Sequence, residues 1–144
     1  MANLVDIPGL AGLWERTRGD ARIRIAQIDG PVRLDHECFE GANIEVAEPY
    51  WHDGTEPDPD AVHHGTFVAS QLVGQPEGPV PGVAPGATLL SVPIPVKEAV
   101  KDWVVLTRTV ELAHEWGPHV LHCAACYPSA DGRSARLFQR AVER

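Results

Sequence analysis

Asp29 and His64 are the residues of this 144-residue chain whose type and setting best suit proton transfer. His64 is the second ring of "HHGTFVAS", residues 63 to 70, where two histidines precede Gly65, Thr66 and a small apolar run that reads as the first turns of a helix. The positive end of a helix dipole opposes imidazolium, so a histidine at that place gains nothing from the dipole and invites another use. Asp29 closes the apolar run "IAQID" just before Gly30 and Pro31. A carboxylate brought beside His64 would fix the ring's tautomer and stabilise the imidazolium formed when it takes a proton. On that reading His64 is a general base and Asp29 its orienter. Gly65 would let the backbone pack closely behind the ring, and Thr66, Ala69 and Ser70 are small enough for a helix buried against a sheet. Both residues also have plainer readings, since Asp-Gly pairs make turns and a histidine at a helix start can simply be hydrogen-bonded.

For the two side chains to meet, the elements carrying them must end on one edge of a common layer. "ARIRIAQIDG" (21–30) alternates into an apolar run and stops at Asp29-Gly30-Pro31, the pattern of a strand that ends in a sharp turn. "NIEVAEPYW" is a weaker second strand, and the acidic, Pro- and Gly-bearing stretch from Glu48 to Ala61 is a surface loop. The helix opened by "HHGTF" runs to about Gly74, the loop "QPEGPVPGVAPG" follows, and "ATLLSVPI" is the next strand. From about Asp102, Trp103, Leu106, Val110 and Ala113 recur at steps of three and four, a helix that ends near Gly117. "HVLHCAACY" is a nearly all-apolar strand and "SARLFQRAVER" a last helix. Ahead of them all, "PGLAGLWERTRGD" is a short amphipathic helix with Leu10, Leu13 and Trp14 on one side and Gly19 to end it. Apolar strands separated by helices predict an α/β fold, a parallel sheet with helices on both faces, in one domain spanning residues 1–144. In such a sheet reactive groups gather at the carboxyl ends of strands, and Asp29 is at one.

The balance of charge narrows the partners. A formal charge of −8 repels phosphate backbones and anionic lipid, and no basic stripe offsets it, so nucleic acid and membrane are not expected partners. No stretch is apolar for the ~20 residues of a membrane span, and "MANLVDIPGL" lacks the basic start of an export signal, which predicts a cytoplasmic location. Three cysteines, Cys38, Cys123 and Cys126, suit reduced thiols better than a disulfide framework.

The two blocks around Asp29 and His64 carry a family resemblance. "IAQIDGPVRLDHECFEGANI" resembles the aspartate region of subtilisin-like serine proteases, and "HHGTFVASQLVGQPEGPVPGVAPGATLLSVPI" their histidine region with its "GVAPGA" loop and following strand. "IPGLAGLWERTRGD", the "DGP" after the strand, and "CFEGAN" narrow the resemblance to the proteases of cyanobactin maturation, of the PatA and PatG type, which cut precursor peptides of ribosomal natural products. The order Asp before His is that of subtilisins. The resemblance implies a truncated subtilisin-like three-layer fold, catalytic roles for Asp29 and His64, no cofactor or metal, and a peptide substrate or leader peptide as partner. His63 is then a solvated bystander.

The chain departs from the family pattern where the substrate would lie. The family's nucleophile, a serine in a "GTSxAxP" context, and its oxyanion asparagine both belong well beyond the histidine. The serines here, Ser70, Ser91, Ser129 and Ser134, have no such context, and Asn3 and Asn43 both precede His64. "LHCAACY" corresponds to the family's substrate-pairing "INxSxGG", which puts Ala124, Ala125 and Cys126 at a substrate-binding edge narrowed by their side chains. Phe67 stands where the family commonly has a second histidine. In subtilisin itself, loss of the serine costs about a millionfold in turnover and loss of one oxyanion donor about a hundred- to thousandfold. The chain is therefore expected to be inactive alone: either the N-terminal portion of a longer or split protease, or a non-catalytic module that binds a leader peptide or a partner biosynthetic protein. Either way an unpaired sheet edge is expected to seek self-association or a complementary C-terminal half.

Other motifs have weaker claims. His119, His122, Cys123 and Cys126 invite a metal or redox reading, but on one strand Cys123 and Cys126 face opposite sides and cannot chelate one ion, so buried structural thiols are expected. Cys126 as a replacement nucleophile is a more remote idea. "HDGTEPDPDAVHH" is oxygen-rich but matches no calcium loop. Trp14, Trp103 and Trp116 are expected in the core, and Trp51 in the acidic loop as a lid or a peptide contact.

Overall fold

The computed structural model describes residues 4–48, 56–94, 103–124 and 136–143. The sequence patterns resolve into four strands, β1 (Arg24–Asp29), β2 (Asn43–Val46), β3 (Thr88–Pro93) and β4 (Val120–Cys123). The helices are α1 (Leu10–Trp14), α2 (Pro59–Val73), α3 (Trp103–Glu115) and α4 (Arg136–Val142). All strand pairs are parallel and the order is β2-β3-β1-β4, so each connection leaves the sheet and crosses over one of its faces. The α/β class and the three-layer arrangement expected from the sequence are present.

Side-chain alternation along the strands sorts the core into two halves. Ala26 and Ile28 of β1 with Leu90, Val92 and Ile94 pack against Leu106, Val110 and Ala113 of α3 and Ala141 of α4. Ile25 of β1 and Leu89 of β3 pack on the other face against Ala69 and Val73 of α2, together with Cys38 and Phe39. A strand buried on both sides has no reason to alternate polar with apolar residues, which is why β1 and β3 read as apolar runs. Gln27, Asp29 and Ser91 are the buried polar exceptions on these two strands.

Several local expectations are corrected. Helix α2 begins at Pro59, not at the histidines, because Asp58 caps it by accepting from Asp60 N–H at 3.0 Å and Pro59 fits the first turn, where its missing N–H is no loss. His64 thus lies inside the helix, and residues 59–61, read from the sequence as the end of a surface loop, are its first turn, while residues 49–55 of that stretch lie outside the described residues. Strand β4 is an edge strand, with Val120 50% and Leu121 39% exposed, not one covered on both faces. Helix α1 is short, and its Leu13 faces solvent while Leu10 is buried. The tryptophans at 14, 103 and 116 are only half-buried: Trp103 and Trp116 flank the α3 side of the core, and Trp14 donates its indole N–H to Val83 O at 3.0 Å. Trp51 lies outside the described residues.

Helix α2 sits on the end of β1 through bare backbone. A Cβ built on Gly65 would fall inside the carbonyl group of Gly30, and one on Gly30 inside the carbonyl of Ala61. Gly65→Ala must therefore push the helix off the strand, and the expected cost is about 3 kcal/mol or more, at or above the usual range for overpacking. Gly12→Ala, where an added Cβ meets nothing within 4 Å, is expected to stabilise by about 0.5–1 kcal/mol through helix propensity. Urea unfolding of the two variants beside the parent chain measures both, and a Gly65→Ala midpoint equal to the parent's would contradict the close approach.

Candidate active site

The strand β1 delivers Asp29 to its carboxyl end, where the chain turns out of the sheet, and α2 brings His64 over the same edge. His64 Nδ1 lies 2.7 Å from Asp29 Oδ1. An ionised carboxylate can only accept, so the proton of that bond belongs to Nδ1, and Nε2 is left as the basic nitrogen. The Asp29 side chain is 6% exposed and that of His64 55%, so the pair presents a buried anion behind a ring open to solvent. Asp29 Oδ1 also accepts the N–H of Gly30 at 2.6 Å, which fixes the carboxylate's direction from its own backbone.

Two more ties hold the helix in register with the strand. Thr66 Oγ accepts the N–H of Arg33 at 2.9 Å and donates to Val62 O at 2.6 Å, so a hydroxyl two residues past His64 links α2 to the chain leaving β1. Gln27 donates through Nε2 to Gly65 O at 3.0 Å and approaches Asp29 Oδ2 at 3.5 Å. Sequence reasoning passed over Gln27. Its signal was present as the single amide within "IAQID", a run otherwise apolar up to its terminal carboxylate.

The remaining sequence-derived residues fall as follows. Ala124 follows the last residue of β4 and donates its N–H to Ile28 O at 3.2 Å, which places it beside the end of β1. Ala125 and Cys126 lie outside the described residues, as do Ser129 and Ser134. His63 is exposed and lines an open cleft of about 550 Å³ with Arg33, His36, Thr66, Phe67 and Val80. His119 Nδ1 accepts the N–H of Arg24 at 3.1 Å, a structural use of that ring. Among the described residues no three His, Cys, Asp or Glu side chains converge as a metal site. The expectation of buried thiols at positions 123 and 126 fails for Cys123, which is exposed because β4 is at the edge of the described sheet, and Cys126 lies outside the described residues, whereas Cys38 is fully buried with its sulfur 3.0 Å from His36 Nδ1. Burial pushes the Cys38 thiol pKa up and keeps the sulfur protonated.

With this geometry in place, solved structures supply the kinship. The prenylagaramide maturation protease PagA matches with a TM-score of 0.82 and 33% identity over 95% of this chain. Over the portion it spans, the chain is similar in fold and sequence to the subtilisin-like proteases of cyanobactin maturation. The PatG macrocyclase in complex with peptide matches with a TM-score of 0.81 and 29% identity over 99% of this chain, and the patellamide maturation protease PatA with 0.72 and 35% over 87%. This subtilisin-like chain spans about half the length of these structures, 46% of PagA, 54% of PatG and 44% of PatA. No protein-family model and no curated protein sequence matches it.

The contrast between its two described cysteines gives a direct check of the site's surroundings. Iodoacetamide applied to the native protein is expected to modify Cys123 and to spare Cys38 until the chain is unfolded, as read by peptide mass mapping. Equal rates at the two thiols in the native state would contradict the burial of Cys38.

Proposed function

We propose that the chain is one portion of a subtilisin-like serine endopeptidase that processes a ribosomally made precursor peptide, with Asp29 and His64 as its catalytic acid–base pair. The 2.7 Å approach of His64 Nδ1 to Asp29 Oδ1 carries this reading, because it leaves Nε2 basic and solvent-facing. In the reaction, Nε2 accepts the proton of a serine hydroxyl as that oxygen attacks the scissile carbonyl, and the buried carboxylate stabilises the resulting imidazolium; the ring then passes the proton to the leaving amine. The sequence holds no serine in the family's nucleophile context, so the hydroxyl comes from a complementary segment that continues the sheet beyond β4. The exposed Val120 and Leu121, on a strand whose described partner is β1 alone, support such a partner or self-association. Ala124, with Ala125 and Cys126, forms the edge along which the peptide lies, and residues 1–144 act as one domain. A peptide-bound relative among the matching structures supports a peptide as the ligand.

A second reading keeps the peptide and drops the chemistry. Alanine and cysteine at positions 124–126, where the family pattern has small Ser-Gly-Gly-like residues, favour a non-catalytic module that binds a leader peptide or a partner biosynthetic protein. A fluorophosphonate probe separates the two. The chain alone is expected to remain unlabelled, since loss of the serine costs about a millionfold in subtilisin. Addition of a chain carrying a "GTSxA" segment is expected to produce labelling of that second chain, and His64→Ala to abolish it. Absence of labelling in every such mixture would leave the binding module as the reading.

In solution the unpaired β4 edge is expected to make the apparent mass rise with concentration in sedimentation equilibrium, and Leu121→Lys to lower that association. A monomer mass constant across the concentration range would count against it.

A further inference from the structure

We infer that Gln27 is a positioning residue for the Asp29–His64 pair, and that a proton on His122 Nδ1 satisfies the far oxygen of its amide. The inference rests on the acid–base reading of that pair. Gln27, Asp29 and Ile25 share the α2 face of β1, and Gln27 is 1% exposed. Its Nε2 points at two acceptors, the carbonyl of Gly65 at 3.0 Å and Asp29 Oδ2 at 3.5 Å. A flipped amide would set oxygen against a carbonyl and a carboxylate, so the chemistry of these neighbours fixes which end is nitrogen. One amide thereby touches both partners' frames: the carboxylate itself and the peptide next to His64.

Fixing Nε2 there leaves Oε1 pointing away from the pair. That oxygen is buried and has no hydrogen-bond partner among the described residues. An amide oxygen left so costs about 1–3 kcal/mol. The register of the sheet pairs Gln27 with Ser91 of β3 on one side and His122 of β4 on the other, all with side chains on the same face. His122 brings a second orphan, a buried Nδ1 without a partner among the described residues. An amide oxygen only accepts, whereas a ring nitrogen can carry the proton. An Nδ1–H donated to Oε1 through one bridging water satisfies both atoms at once. The result is a polar row across three elements: His122 on β4, Gln27 and Asp29 on β1, and His64 on α2. His122 acts on His64 only through Gln27, so it too is a positioning residue.

The test uses the full ¹⁵N-labelled chain and long-range ¹H–¹⁵N spectra of its histidine rings. His122 is expected as the neutral Nδ1–H tautomer in the unsubstituted protein; the Nε2–H tautomer would overturn the inference without any variant being made. His64 is expected to show a hydrogen-bonded Nδ1–H whose exchange with water is about tenfold faster in Gln27→Met, the equivalent of one lost hydrogen bond. His122→Phe is expected to shift that rate in the same direction, and His122→Asn, which restores a side-chain N–H, to return it toward the parent's. Exchange in Gln27→Met within twofold of the parent would overturn the positioning role. Asp29→Asn separates this failure from a deeper one: a His64 Nδ1–H signal that is lost in Asp29→Asn but indifferent to Gln27→Met refutes the inference alone, whereas a His64 spectrum indifferent to Asp29→Asn refutes the acid–base pair as well.

Discussion

Everything at the candidate site depends on two peptide backbones touching where neither residue has a side chain. Gly30, just past β1, and Gly65, within α2, allow the helix to lie on the strand end at a distance that any Cβ would forbid. That approach is what brings a ring on the helix within hydrogen-bond reach of a carboxylate on the strand. Long side chains could have bridged a wider gap, but each added rotatable bond would loosen the geometry that proton transfer requires. Glycine here contributes proximity, and the short side chains of Asp29 and His64 contribute direction.

Closeness alone would leave the pair free to slide, and three separate bonds prevent it. Gly30 N–H holds Asp29 Oδ1, Thr66 ties α2 to Arg33 in the turn beyond β1, and Gln27 ties Gly65 to the strand. These bonds use backbone groups that would otherwise be buried without partners where a helix meets a strand end. The same contacts therefore satisfy the backbone and fix the site.

Much of this was legible in the sequence, for physical reasons that differ from residue to residue. The strands β1 and β3 were legible because burial on both faces of a parallel sheet leaves uninterrupted apolar runs. Asp29 stood out as a charge at the end of such a run, and Gly65 as a glycine inside a stretch otherwise suited to a helix. The start of α2 was misread because the acidic composition of residues 48–61 outweighed the Asp58-Pro59 pair, a helix-opening signal in its own right. Gln27 was missed because a period-based reading counts one amide in a strand as noise, while its meaning lies in contacts 38 residues away. The exposure of Cys123 could not be read from local pattern, since an interior strand and an edge strand of this kind have the same composition and differ only in who stands beside them.

The cap on α2 also has an implication for how such a site can diversify. Asp58, Pro59 and Asp60 close the helix with their own atoms, so the segment leading up to them need not contribute to holding His64. A segment ahead of a self-contained cap can lengthen, shorten or change charge while the ring six residues past Asp58 keeps its place. Variation in what the site meets is thereby uncoupled from the alignment of the groups that would react.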